Sequence, residues 1–224
     1  MCIRDRLNPV PGFTVTASAP LSGPHDLSGV QRGVITSNSD FKAPYFVPMI
    51  ITSYNYAYGG QTNHFTADFA MLSPYNTNIP PLFDGNFQSV TISEAMGMSF
   101  SPVILIKTES ILTSDFIAQL SDDNSDVVAF LRQNDSYRDP LNVNSFWKPT
   151  VPIRMIHHRR DELVPYGNSQ VALDAFIAAG SKSVTLVEET VTINISSAAV
   201  KTVHFAAAFP ELSRGWRWIN GFKH

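Results

Sequence analysis

Apolar positions in the last third of this chain alternate between two rhythms. Residues 151–157 (VPIRMIH) form a short apolar run entered through proline, the pattern of a parallel strand covered on both faces. From Asn168 the rhythm changes: Val171, Ala172, Ala175, Phe176 and Ala179 recur at three- and four-residue steps. Asn168 is placed to cap this predicted helix, and Gly180 to end it. Residues 183–191 (SVTLVEETV) read as the next strand and residues 204–222 as a final helix. Two strands joined by such a helix imply a right-handed βαβ crossover and a parallel sheet. Near the other end, residues 13–20 (FTVTASAP) alternate as a buried strand does, then meet the breaker cluster Leu21-Ser22-Gly23-Pro24. A core strand at this point needs neighbours on both sides, so further sheet is expected upstream.

Between these regions the character differs. Residues 41–149 are dense in aromatics and prolines, with helical patterns over 45–58, 65–72, 113–120 and 125–133. In the last, Ser125 or Asp126 can cap a helix whose apolar face is Val127, Val128, Phe130 and Leu131. There is no internal repeat. The expected organisation is an α/β core from residues 8–40 and 150–224, interrupted by a mostly helical cap over 41–149.

Composition narrows the function classes. The 224 residues are 44% hydrophobic and 16% charged, ordinary for a globular protein. A net charge of −3 gives no reason to expect nucleic acid or an anionic membrane as partner. The longest apolar stretches, residues 45–51 and 102–106, fall well short of the roughly 20 residues of a membrane helix, so no transmembrane segment is expected. The opening MCIRDRL matches no secretory signal and looks foreign to the rest of the chain, like read-through of a sequencing adapter. Residues 1–7 are therefore expected to be a non-native tail. The single cysteine, Cys2, lies in it, which leaves no native disulfide.

Candidate chemistry concentrates in His157-His158-Arg159-Arg160-Asp161-Glu162-Leu163-Val164-Pro165. A carboxylate in the loop past the C-terminal end of a parallel strand sits where open α/β sheets bind ligands. Such an aspartate can orient a histidine and stabilise its imidazolium form. His204, at the start of the last helix and one strand later, is the matching candidate. The plainer alternatives are an Asx turn for Asp161 and a partly solvated helix-opening residue for His204. His157 and His158 are adjacent on a strand, point to opposite faces and cannot easily share a metal ion; His157 is expected to pack behind the acid loop. Ser22 lacks the glycine two positions earlier that a nucleophile turn needs. Tyr54, Tyr56 and Tyr58 read as cap core or as a channel lining, and His25 and His64 have no visible partner.

The run around Asp161 resembles the HGxxDxxVP segment carrying the triad acid of many α/β-hydrolase esterases, lipases and related peptidases. As in that family, a helix of the NSxxALxxFxxAG kind and a strand come next, and then a histidine at the opening of the terminal helix. Residues 17–30 (ASAPLSGPHDLSGV) resemble the strand and loop after the nucleophile's helix, and residues 135–149, ending FWKP, resemble the approach to the acid-bearing strand. The likeness spans most of residues 14–223. It implies the C-terminal portion of an α/β-hydrolase parallel sheet with a helical cap, with Asp161 as acid and His204 as base. It also implies serine chemistry on a small-molecule carboxylic ester, without a cofactor, and a full-length protein that is secreted or periplasmic. The weakly charged, aromatic cap favours an apolar acyl group. This sequence departs from the pattern twice: His158 stands where the motif has glycine, and no G-x-S-x-G elbow occurs anywhere. The serine is thus expected upstream of residue 13, and the chain alone is expected to be inactive. A peptidase of the same fold, or a non-catalytic binding relative, are the alternatives.

Overall fold

The computed structural model describes residues 14–37, 39–97, 99–100, 103–104, 106–193 and 202–222. Phe13 and the expected tail at residues 1–7 lie outside them. The chain divides into two compact units, residues 32–130 and residues 1–31 with 131–224.

The first of these is built on helices α1 (Phe46–Tyr58), α2 (Ser89–Ala95), α3 (Ser114–Ser121) and the first five residues of α4 (Asp126–Gln133), with one-turn helices at Ala67–Ala70 and Tyr75–Asn78. Helices α1, α3 and α4 fall where the apolar periodicity puts them. The Ser125 hydroxyl accepts the Val128 N–H at 3.1 Å and so caps α4, and the Thr113 hydroxyl accepts the Phe116 N–H and caps α3. The helix expected over 65–72 shrinks to one turn, because Met71 is extended and bridges Leu112, while the Leu72 N–H bonds the Ile111 carbonyl. Phe65 is the hub of this unit's core. Its ring lies 5.0 Å from Tyr54 and 6.1 Å from both Phe116 and Phe130, at tilted or edge-on angles that suit aromatic quadrupoles. Tyr58 stacks on Phe130, while Tyr56 points to solvent, so the tyrosine triplet is divided between core and surface.

The second unit holds the parallel sheet. Strand β1 (Ile153–His158) pairs in parallel with β2 (Val184–Glu189), from Ile153 opposite Val184 to His158 opposite Glu189. On the other edge of β1, Ser18 and Leu21 form parallel bridges to Ile153 and Ile156, so β1 is central. Its side chains alternate between two helices, as the pleat requires. Ile153 and Met155 join Ala172, Ala175 and Phe176 of α5 (Gly167–Ala178) in one apolar cluster. Arg154 and Ile156 instead meet α6 (Val203–Asn220): the Arg154 guanidinium lies 5.0 Å over Trp218, and Ile156 lies against Gly215. Covered on both sides, the strand is buried at every position but Arg154, hence apolar residues at Ile153, Met155 and Ile156 on both of its faces.

Two glycines shape this layering. Gly180, at φ +84°, takes the left-handed turn that ends α5, and the Ser181 N–H returns to the Phe176 carbonyl. Gly215 lets α6 approach closely; a Cβ there would stand 3.3 Å from Leu21 and 3.4 Å from Ala19. Asn168, expected as a cap, lies instead inside α5, which begins at Gly167 with no side-chain cap. Its buried carboxamide accepts the Asp26 N–H and donates to Gln31 and to the Pro165 carbonyl, a better use of its polar atoms away from water. The boundaries also move. Residues 131–149, read as cap from their aromatic content, fall in the sheet-bearing unit because Tyr137 and Trp147 pack into the Ile153–Phe176 cluster. No helix among the described residues is long and apolar enough to cross a membrane.

Candidate active site

The loop leaving β1 is folded by its own polar atoms. His158, in place of the motif's glycine, supports the turn: its carbonyl accepts the Asp161 N–H, and its Nδ1 accepts the Arg160 N–H at 3.1 Å. His157, on the opposite side of the strand, is fully buried. Its Nε2 lies 2.8 Å from the Val164 carbonyl and its Nδ1 2.7 Å from the Ser169 hydroxyl. The two histidines therefore share no partner.

Asp161 uses its two oxygens for different tasks. Oδ1 accepts the backbone N–H groups of Leu163 (3.0 Å) and Val164 (2.9 Å), the local turn that its loop position suggests. Oδ2 lies 2.6 Å from Nδ1 of His204. One oxygen thus serves the turn and the other the histidine. Burial pushes its carboxyl up, but hydrogen bonds from His157, His204 and Val164 outweigh that and hold it down at about 2. The carboxylate is thus ionised at neutral pH, can only accept, and assigns the Nδ1 proton to His204.

His204 is presented by the start of α6, whose first amide groups are held by side chains. The Thr202 hydroxyl accepts the Phe205 N–H at 3.2 Å, a standard cap. Glu162, next to Asp161, accepts the Val203 N–H through both oxygens, at 3.0 and 3.1 Å. Consecutive acidic residues thus grip the imidazole and the helix carrying it. Burial of the imidazole pulls its pKa down. The bond and charge of Asp161, with Glu211 and Glu162 farther off, overcome this and raise it above 6.5. Among the described residues none bonds Nε2, which remains the nitrogen available for proton transfer. Asp161 and His204 are the two positions the sequence singled out, and the structure brings them together.

Other candidates resolve differently. The Ser22 hydroxyl donates to both oxygens of Glu211, at 2.8 and 2.9 Å, and is spoken for. His25 has a partner the sequence did not reveal: its Nδ1 lies 2.8 Å from the Ser136 hydroxyl, and burial with the nearby His157 lowers its pKa to about 4. His64 pairs with Asp126 at 2.6 Å in the helical unit. Glu162 and Glu211, both in the surroundings of His204, were not singled out from sequence. Among the described residues, no group of three or more His, Cys, Asp or Glu side chains is arranged to hold a metal ion.

No protein-family model matches this chain, and no curated protein matches it in sequence. Solved structures do. A rice cell wall degrading esterase, LipA from Xanthomonas oryzae, superposes with a TM-score of 0.72 at 18% identity, over 98% of this chain and 53% of that one. A second LipA structure gives 0.69 at 21% identity, over 95% and 51% of the two chains. A protein of Legionella pneumophila classed as a hydrolase gives 0.68 at 20%, over 98% and 52%. The chain spans about half the length of the structures it matches, and it has part of the α/β-hydrolase fold.

Proposed function

We propose that this chain supplies the acid and the base of a serine hydrolase acting on carboxylic esters, the nucleophile coming from polypeptide outside it. The observation that carries the reading is the 2.6 Å bond between Asp161, past the tip of β1, and Nδ1 of His204, past β2. A working pair needs hydrogen-bond reach, and this one has it. Asp161 fixes the tautomer and steadies the imidazolium; Nε2 of His204 takes the serine proton as the hydroxyl oxygen attacks the ester carbonyl carbon. The same proton then passes to the leaving alcohol as its C–O bond breaks, giving an acyl-serine. Water repeats the attack, yielding its proton to Nε2; the acyl–serine bond breaks, the serine regains a proton and the acid departs. The likeness in fold to LipA, described as an esterase, favours an ester over a peptide, and the aromatic helical unit favours an apolar acyl group. The resemblance of residues 17–30 to secreted relatives points to action outside the cytoplasm.

The test is hydrolysis of p-nitrophenyl butyrate by this chain alone and by the chain extended through its upstream reading frame. The expected result is turnover only in the extended protein, together with a G-x-S-x-G segment there. Turnover by the 224 residues alone that survives both Asp161→Ala and His204→Ala would overturn the proposal.

A further inference from the structure

Glu211 is a carboxylate almost wholly removed from water, 1% exposed, in a helix whose other inward positions are Val203, Ala207 and Gly215. An ionisable side chain in such a stripe is costly unless fully satisfied. It is satisfied by the end of β1 and by the end of the segment bridged to it. The Ser22 hydroxyl donates to both its oxygens, and the His158 N–H donates to Oε1 at 2.8 Å. Ser22 ends the segment paired to β1 and is held at φ +39°, a conformation unusual for a residue with a side chain. His158 ends β1 itself and begins the turn that delivers Asp161. Glu211 and His204 ride on the same helix, two turns apart. One carboxylate thus ties the histidine's helix to the strand that bears the acid.

We infer that Glu211 is a positioning residue: it clamps α6 to the end of β1 and, through Ser22, to the segment bridged to it, setting the place of His204 against Asp161. The inference rests on the acid–base reading of that pair. A neutral apolar side chain would fill the same space but leave the Ser22 hydroxyl and His158 N–H without their acceptor. The clamp is also electrostatic. The His204 imidazole faces Asp161 and Glu162 from the loop after β1, and Glu211 along its own helix; Glu211 in turn faces His157 and Asp161. A second ion pair, Arg214 with Glu189 at 3.0 Å, fastens the same helix to the end of β2 and provides a control.

The experiment follows the His204 imidazole by NMR in the full chain, recording its titration and the exchange of its Nδ1 proton with water. Two helical turns put the charges ~10 Å apart, and at an effective dielectric between 20 and 80 removing the negative charge lowers the His204 pKa by ~0.3–1 unit. Glu211→Gln is expected to show that shift and faster proton exchange. Arg214→Ala, which loosens α6 elsewhere, is expected to show neither. Should Glu211→Gln not fold, Ser22→Ala decides: it removes one donor and keeps the charge, so exchange rises several-fold while the titration stays. If Glu211→Gln, or Ser22→Ala in its place, matches Arg214→Ala, the clamp is overturned. Asp161→Asn separates the two levels: if it leaves the His204 titration unmoved, the acid–base pairing itself fails.

Discussion

Replacing Asp161 by asparagine changes one charge and almost no volume. The carboxamide oxygen can still accept the Leu163 and Val164 N–H groups, so the turn survives, but the bond to His204 Nδ1 meets an N–H donor instead of a carboxylate. The Asp161 carboxyl is held at about 2, against an ordinary 3.8. At about 1.4 kcal/mol per unit, nearly two units correspond to about 2 kcal/mol of stability. The sign is set by the depressed value. The contribution is complete above the unfolded value near 4 and is lost as pH falls through 4 towards 2. The histidine's raised value works from the other side, adding stability below 6.5 that is lost as pH rises through its folded pKa. The gap between wild type and Asp161→Asn should therefore be widest between about pH 4 and 6.5 and close by about 2 kcal/mol at pH 2. All three tryptophans, Trp147, Trp216 and Trp218, lie in the sheet-bearing unit, so their fluorescence in urea reports its unfolding. With a urea slope of 1–3 kcal/mol per M, the midpoints should differ by roughly 1 M at pH 5. Parallel stability curves from pH 7 to pH 2 would show that the carboxylate's charge does not act on this pair.

Neighbouring residues give three further expected outcomes. His25, held at about 4 by burial, excludes a proton that the unfolded chain binds below 6.5, so stability should fall by about 3 kcal/mol between pH 6.5 and 4. His25→Asn should flatten that part of the urea-midpoint profile; an unchanged slope would refute the assignment. Tyr137→Phe removes the hydroxyl that donates to buried Asp26 at 2.8 Å and should cost about 2 kcal/mol by the same fluorescence assay. At Gly215, alanine should stay within about 1 kcal/mol of wild type, because helix propensity offsets the tight 3.3 Å contact. Valine there should lose about 2 kcal/mol by overpacking against Leu21 and Ala19, and a neutral valine would show that the helix does not lie this close.

The parts of this fold legible in the sequence are those where burial imposes a period. Strand β1 reads as apolar because helices cover both of its faces, and α5 reads as a helix because one stripe faces Met155 and Ile153. The order of strand, acid, helix, strand and histidine was enough to place Asp161 beside His204. What stayed hidden depends on which core an aromatic residue joins, and hydrophobicity does not carry that. Tyr137 and Trp147 look like the aromatic residues of the helical unit, yet pack under the sheet. Glu211 was hidden for the opposite reason, being a polar residue on a buried stripe. The only trace is its four-residue spacing with Val203, Ala207 and Gly215. The outer side of α6 blurs even that, since it exposes Phe209, Leu212 and Trp216. Asn168 illustrates a third limit. A residue suited to a cap was taken by a longer-range network joining Asp26, Gln31 and Pro165, which local spacing cannot foresee.

Whether the His204 imidazole moves the proton in catalysis is the central question, and kinetics answers it most directly. The decisive measurement is kcat for p-nitrophenyl butyrate in the upstream-extended protein, wild type against His204→Ala. The expected loss is at least ~10³-fold, as for removal of the base from a serine triad. A loss of less than about tenfold would mean that the proton moves elsewhere, and that the bond between Asp161 and His204 serves the fold rather than the reaction.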